Sequence, residues 1–149
     1  MVIRELTRQA SLDLLARNHL GRLAYARGNQ PYVFPMFFAC HDNSLYCASK
    51  IGQKIEWMRE NPLVAVEVDE IDSAQQWASV MVQGRYEELA DAPETGDRRQ
   101  LAWSLLQKRK LWWEPGYVKT ILGGTKRPMT PVYFRVRIEQ VTGHRATKE

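Results

Sequence analysis

Alternation of apolar and polar residues over three long segments restricts the fold of this chain more than any other feature. The segments are Leu63 to Asp69, Trp77 to Leu89 and Pro131 to Thr142. Residues two apart lie on the same face of a β-strand, so each segment predicts a strand with one buried face. The residues predicted to face the core are Val64, Val66, Val68, Val80, Val82, Tyr86, Val132, Phe134, Val136 and Ile138.

Three shorter segments complete the predicted strands: Arg22 to Ala26, Pro31 to Cys40 and Leu45 to Ala48. Gly28-Asn29 and the run 41–44 are typical of the turns that join such strands. Six strands with mostly short connections favour antiparallel pairing. The sequence therefore predicts a mainly β fold: a small six-stranded antiparallel barrel, closed or split, with flanking helices. It forms a single domain over residues 1–149.

Helices are predicted between the strands. Thr7 is a good N-cap for a helix over 8–18, and Gly21 would close it with a left-handed cap. A later helix opens at Ala92-Pro93-Glu94 and runs to about Lys108, because proline suits a first helical turn. Two or three helices would thus pack on the outside of the barrel.

The alternating strand pattern is interrupted at two places, and each interruption predicts a local structure. The run 70–76 is polar and predicts a loop between two strands. Gly84 lies in the middle of a long strand and indicates either a bulge or a close approach of a neighbouring backbone.

Composition and charge exclude several classes of protein. The 149 residues are 44% hydrophobic and 26% charged, with a net charge of +4, as in an ordinary soluble domain that is too weakly basic to imply nucleic acid. No apolar run approaches the ~20 residues that span a bilayer, and the N-terminus lacks the core of a signal peptide. Cys40 and Cys47 suit a reducing compartment, so we expect a cytoplasmic protein. The three histidines are scattered, and no metal site is predicted.

The strand around Pro35 is apolar on both faces. Tyr32 to Ala39 contains no charged residue, so both faces should be covered. One cover would be the core, and the other a flat ligand or a second subunit. Because Pro35 has no N–H to donate, it marks an edge, a bulge or a break in pairing. A fully buried central strand has the same pattern, and periodicity does not separate the two interpretations.

A hydroxyl and two lysines follow the third strand. Ser49, Lys50, Gly52 and Lys54 lie where that strand leads into a helix, which should end at Asn61 because proline follows. The unpaired N–H groups and the dipole of a helix start favour an anion. Lys50 and Lys54 would add full charges. Two solvated lysines at a helix start would give the same local pattern.

The segment Leu111 to Thr130 is long and has no clear period. Its adjacent Trp112 and Trp113 suit an interface or a lid over a ligand, or equally a cluster packed on the barrel. The basic run 108–110 fits a solvated helix end, where the helix dipole stabilises cations, better than a nucleic-acid surface.

The order of these motifs resembles the pyridoxamine 5'-phosphate oxidase-like proteins, and most closely the branch that contains nitroimidazole-resistance proteins. The resemblance covers most of the chain and is weak between Pro93 and Pro128. It is carried by Leu20–Ala24, Pro31–Phe38, Leu45-Tyr46, Gly52–Lys54, Asn61–Asp69, Trp77–Val80, Gly84-Arg85 and Val132–Gly143.

The resemblance implies a split β-barrel that forms a homodimer and holds FMN in a groove between subunits, although FAD or a deazaflavin shares the same ring and phosphate. Many members of the branch carry a histidine near Ala48, which this chain lacks, and no substrate-phosphate site is evident. Pyridoxine phosphate oxidation is therefore not expected. By position, Pro35, Met36, Phe37 and Phe38 would line the flavin ring, Ser49, Lys50 and Lys54 would hold the phosphate, and Trp77 and Ser79 would flank the ring.

The function expected from this site is electron transfer from reduced flavin to a small acceptor such as a nitro compound or a quinone. The flavin supplies the redox chemistry, and the protein supplies binding, orientation and an apolar wall. A flavin- or haem-binding module without turnover, for sensing or storage, is the alternative. No membrane or nucleic-acid partner is expected.

Overall fold

The computed structural model describes residues 1–108, 119–122, 125–128 and 131–149. The helices in this part of the chain are α1 (Arg8–Arg17), α2 (Gln53–Glu60) and α3 (Gly96–Gln107). The strands are β1 (Val2–Glu5), β2 (Leu20–Arg27), β3 (Gln30–Phe37), β4 (Ala39–His41), β5 (Ser44–Lys50), β6 (Leu63–Ser73), β7 (Gln76–Glu88), β8 (Lys119–Leu122), β9 (Thr125–Pro128) and β10 (Pro131–Thr147).

An antiparallel sheet of eight strands closes on itself through the segment around Phe38. The strand order is β3-β2-β6-β7-β10-β5-β4, and β1 pairs with β10 beside this path. The two ends of the path, β3 and β4, are consecutive in the chain, with Phe38 between them. β3 pairs with β2 and β4 pairs with β5, so the stretch 30–41 joins both ends. Counted as one strand, it makes six barrel strands, and the predicted mainly β split barrel is confirmed.

The barrel is open beside β3. One edge of β3 pairs with β2, and no strand of the described residues pairs with its other edge. Across the opening lie α2 and the second half of β5, which pairs with β10. An unpaired edge leaves backbone N–H and C=O groups available to another molecule.

The barrel interior contains every residue that the alternation predicted to face inward. All ten are buried, and they pack with Leu14 and Leu15 of α1 and with Ile55 and Met58 of α2. A second, smaller cluster lies outside the barrel, where Ala102 and Leu106 of α3 cover β5 and β10. Burial of this apolar surface is the main stabilising contribution to the fold.

The start of α1 agrees with the sequence, whereas its end does not. Thr7 caps the helix, because its hydroxyl accepts a hydrogen bond of 3.1 Å from the Ala10 N–H. The predicted cap at Gly21 is wrong, since α1 ends at Arg17 and Gly21 lies within β2. A Cβ at Gly21 would lie 3.0 Å from Val66 Cγ1, so this glycine permits the close approach of β2 to β6.

Two other boundaries differ from the prediction. The run 70–76 is mostly strand rather than loop, because β6 continues to Ser73 and β7 begins at Gln76. Only residues 74 and 75 form the turn between these paired strands. α3 begins at Gly96 rather than near Pro93, because the residues before it form a turn closed by hydrogen bonds to the Ala92 carbonyl.

The predicted long connection contains a strand pair, β8 with β9. Trp112 and Trp113, and Arg109 and Lys110 of the basic run, lie outside the described residues. Among the helices that the structure describes, none combines the length and apolarity needed to cross a membrane.

Candidate functional site

The lysine-bearing turn lies at the opening of the barrel. Lys50 ends β5 opposite Pro131 of β10, and α2 begins three residues later at Gln53. Gly52 occupies the N-cap position, where it offers no side chain to the unpaired N–H groups of the helix start. Ser49 is 6% exposed, and its hydroxyl donates a hydrogen bond of 3.2 Å to the Lys50 carbonyl oxygen. Serine, two lysines and a helix start thus meet at one place.

Lys54 connects this turn to the apolar strand. Its Nζ atom lies 4.1 Å from the ring centroid of Phe34 in β3, a cation–π contact across the opening of the barrel. Burial lowers the pKa of Lys54, and the neighbouring charge of Lys50 lowers it further. Lys54 is partly buried and Lys50 is exposed, and a bound anion would offset both the burial of the Lys54 charge and its repulsion by Lys50.

The side chains of β3 and of Phe38, which follows it, alternate between two faces. Met36 and Phe38 are 5% and 0% exposed and belong to the barrel core, so a ligand at this strand would meet their backbone. Pro35 is exposed on the outer face, opposite Arg22 of β2. Phe37 is partly exposed, and its ring stacks on His19 with centroids 6.0 Å apart. Of the four predicted ring-lining residues, Pro35 and Phe37 therefore present side chains outward.

Trp77 and Ser79 lie elsewhere on the outer face of the barrel. They belong to β7, which is separated from β3 by β2 and β6. The structure brings Ser49, Lys50 and Lys54 together with β3, and it keeps Trp77 and Ser79 apart from them within one chain. Whether all nine predicted residues contact one cofactor stays a prediction.

Glu67 of β6 contacts the predicted site residue Ser79 and was not itself among the predicted site residues. The hydroxyl of Ser79 donates a hydrogen bond of 3.3 Å to Glu67 Oε2. Burial, followed by the neighbouring Asp69, raises the pKa of Glu67 to about 7. Carboxyl groups with a pKa raised in this way are enriched at functional sites. The available signal was its spacing of two from Asp69, which places two carboxylates on one strand face.

An aromatic cluster beside Lys54 was also missed. The rings of Tyr32 and Trp57 lie 4.8 Å apart, and both contact Tyr25. The signal was Tyr32 and Phe34, which are two apart and therefore share the face of β3 that α2 covers.

The comparisons with known proteins agree with this fold. The model of the family described as pyridoxamine 5'-phosphate oxidase matches residues 7–145. An uncharacterized protein of Rhizobium meliloti (strain 1021) is 40% identical over 146 residues, which cover 98% of this chain and 97% of that protein. A FAD-binding protein from Mesorhizobium loti has a solved structure that is similar to this one, with a TM-score of 0.81. It is 44% identical, and the match covers 99% of this chain and 100% of that chain.

A third similar protein comes from the nitroimidazole-resistance branch. It is a candidate 5-nitroimidazole antibiotic resistance protein from Bacteroides thetaiotaomicron, 18% identical, with a TM-score of 0.67 over 99% of this chain and 93% of that chain. At that identity the likeness shows the fold alone. The family match spans nearly the whole chain, so this chain belongs to the pyridoxamine 5'-phosphate oxidase-like family.

Proposed function

We propose that this chain is a flavin-dependent oxidoreductase, in which reduced flavin passes electrons to a small acceptor such as a nitro compound or a quinone. The observation that carries the proposal is the contact of Lys54 with Phe34, which joins a cationic turn to an apolar strand at the barrel opening. A flavin phosphate needs the first, and the flat ring needs the second. The FAD-binding Mesorhizobium loti protein, similar over its full length, supports the same ligand class.

The chain's own residues would bind and orient the flavin nucleotide. Lys50 and Lys54 would contact the phosphate, and the exposed edge of β3 would offer backbone groups to the polar rim of the ring. Bound flavin supplies the redox chemistry. FMN is the smallest cofactor that fits this description, and FAD or a deazaflavin shares its ring and phosphate. The proposed compartment is the cytoplasm, which suits a buried free thiol at Cys47.

The first test is the absorbance of the purified protein and its thermal response to flavin. We expect a flavin spectrum, and a melting temperature that rises when FMN or FAD is added, because a ligand that binds the folded state stabilises it. In the absence of oxygen, NADH or NADPH should then reduce the bound flavin and remove its visible absorbance. A nitro compound or a quinone should reoxidise the flavin and restore that absorbance. Bleaching by neither donor would favour the sensor or storage function. Absence of flavin binding would exclude the oxidoreductase and a flavin-based sensor, and would leave haem as the ligand of the alternative function.

We also propose that two copies associate through the outer face of β2, β3, β6 and β7. This face exposes Val33, Leu63 and Met81 at 64%, 56% and 41%. Leu63 lines a groove of about 370 Å³ that also includes Ala24 and Ala65. Large apolar residues around small ones suit a close interface. In a homodimer, Trp77 and Ser79 of one protomer would reach the flavin held by the partner, which one chain alone does not achieve.

Light scattering tests this assembly. We expect a mass of twice 17.3 kDa in solution. Leu63→Lys should shift the protein toward the monomer, because it places a charge in an apolar contact. Ile3→Lys, at an exposed residue of β1, is the matched control and should leave the mass unchanged. A monomeric wild-type protein at micromolar concentration would contradict the proposal.

A further inference from the structure

The outer face of β2, β3, β6 and β7 is apolar at both ends and charged at its centre. Residues that are opposite each other in an antiparallel register share one face of the sheet. Val33 and Leu63 are exposed toward one end of this face, and Leu20 and Ile71 are exposed toward the other. This is the face of the proposed homodimer, so association of two copies would bury its centre as well.

The charged centre holds two carboxyls and one guanidinium. Arg22 of β2 lies opposite Glu67 of β6, and Glu67 lies opposite Met81 of β7. Asp69 is two residues from Glu67 on the same strand face, and its Oδ2 atom lies 3.8 Å from Arg22 Nη1. Two carboxyls therefore share one cation beside an exposed apolar side chain.

Glu67 is the carboxyl of this pair that changes its charge near neutral pH. The charged groups that face it are Arg22 and, on its own strand, Asp69, whereas β7 contributes the uncharged Ser79 and Met81. Burial, and after it Asp69, raises the pKa of Glu67 to about 7, while Ser79 and Arg22 act in the opposite direction. A single copy in neutral solution therefore holds this proton only part of the time.

Association of two copies would remove this centre from water. With both carboxyls ionised, each copy would bury two negative charges against the single positive charge of Arg22. An unbalanced buried charge is costly, and protonation of one carboxyl removes it. Burial in the dimer would therefore raise the pKa of Glu67 further, as burial in the single copy already does. Above pH 7 the dimer would then hold more protons than two separate copies.

We propose that this face is a pH switch, in which association of two copies retains a proton on Glu67 of each and a rising pH removes that proton and dissociates the dimer. The inference rests on the proposed homodimer and adds its regulation. The dimer is most stable below pH 7, where Glu67 is protonated in both states, and loses stability as the pH rises toward the pKa of Glu67 in the dimer. Two protons per dimer correspond to a dissociation constant that rises by at most about 100-fold per pH unit.

Sedimentation equilibrium of a dilution series at pH 6 and pH 8 tests the switch. We expect the dissociation constant of the wild-type dimer to rise by about tenfold or more, because these pH values lie on either side of the pKa of Glu67 in a single copy. Glu67→Gln is neutral at both pH values and keeps an oxygen that can accept from Ser79, so its constant should change by less than about twofold. Glu94→Gln removes an equal charge from an exposed residue before α3 and should show the wild-type rise.

Asp69→Asn tests the charge balance by a second route. It leaves one carboxyl for the one guanidinium of Arg22, so Glu67 can stay ionised in the dimer and most of the rise with pH should disappear. Circular dichroism shows which variants are folded, and Asp69→Asn keeps the test valid if Glu67→Gln is not. At protein concentrations far above the dissociation constant the dimer persists at both pH values, so flavin titrations under those conditions are independent of the switch.

The outcomes separate the switch from the homodimer. Equal dissociation constants of the wild-type protein at pH 6 and pH 8 would overturn the switch and leave the homodimer intact. A rise with pH that persists in the folded variants would also overturn it, since the proton would then belong to another group, such as His144 opposite Ser79. A wild-type chain that is monomeric at both pH values would overturn the homodimer itself.

Discussion

Replacement of Lys54 by methionine should weaken flavin binding by about 10- to 100-fold. A hydrogen bond to a charged group contributes about 1.5–3 kcal/mol, and loss of that contribution corresponds to this range. Methionine keeps an unbranched apolar stem that can pack on Phe34, so the variant removes the charge and little else. Quenching of flavin fluorescence during titration measures the affinity.

The control for Lys54 is Lys148→Met, which removes an equal charge at the exposed C-terminus and should leave the affinity unchanged. If Lys54→Met lowers the melting temperature but binds FMN as tightly as wild type, then Lys54 has a structural role through Phe34 and the phosphate lies elsewhere. If both variants weaken binding equally, net charge rather than a defined contact attracts the flavin.

The pH dependence gives a second measure of the same contact. Only the charged form of Lys54 attracts phosphate, and burial together with Lys50 lowers its pKa below that of an ordinary lysine. Affinity should therefore be full at pH values below the lowered pKa and should fall as the pH rises through it. This fall should begin at a lower pH than for an exposed lysine. Lys54→Met should lack it.

The barrel strands were predictable because their signal is local. The valines at 64, 66 and 68 show the period of two within one segment, and the structure buries all three. Phe38 shows where local reasoning ends. The run 32–39 is apolar throughout, so nothing in it marks the residue at which the strand changes partner from β2 to β5. The same holds for Gly21, where a Cβ would crowd the side chain of Val66, a residue 45 positions away in the sequence.

Some features of the candidate site are likewise predictable from the local sequence, and others depend on how the strands pair. Ser49, Lys50 and Lys54 lie close together in the sequence, so their grouping follows once a strand is predicted to lead into a helix. The contacts of Lys54 with Phe34 and of Glu67 with Ser79 depend on which strands pair and in what register. One sequence does not supply that register. The register is known only once the sheet has formed. The raised pKa of Glu67 and the aromatic cluster both depend on that register.

Gly84→Ala should destabilise the folded protein by about 3 kcal/mol, which for a chain of this size lowers the melting temperature by roughly 6–12 °C. A Cβ at this position would lie 2.5 Å from the Arg137 carbonyl oxygen and 2.6 Å from Val136 Cγ1. The carbonyl belongs to the backbone of β10, so relief of the clash requires β7 and β10 to separate. β10 already shifts its register between Ile138 and Gln140, beside Gly84. The position of Gly84 in a strand indicated either a bulge or a close approach, and the structure shows a close approach to β10 with a register shift beside it.

Gly96→Ala is the matched control for this clash. A Cβ at Gly96 would meet no described atom within 4 Å, and the residue begins α3, where alanine is favoured over glycine. Urea unfolding should show Gly96→Ala as stable as wild type or slightly more stable, with Gly84→Ala well below both. If the free energy of unfolding of Gly84→Ala lies within about 0.5 kcal/mol of the wild-type value, then β7 and β10 can move apart at little energetic cost. Burial of the core valines and Phe134, rather than this close contact, would then be the interaction that keeps β7 packed against β10.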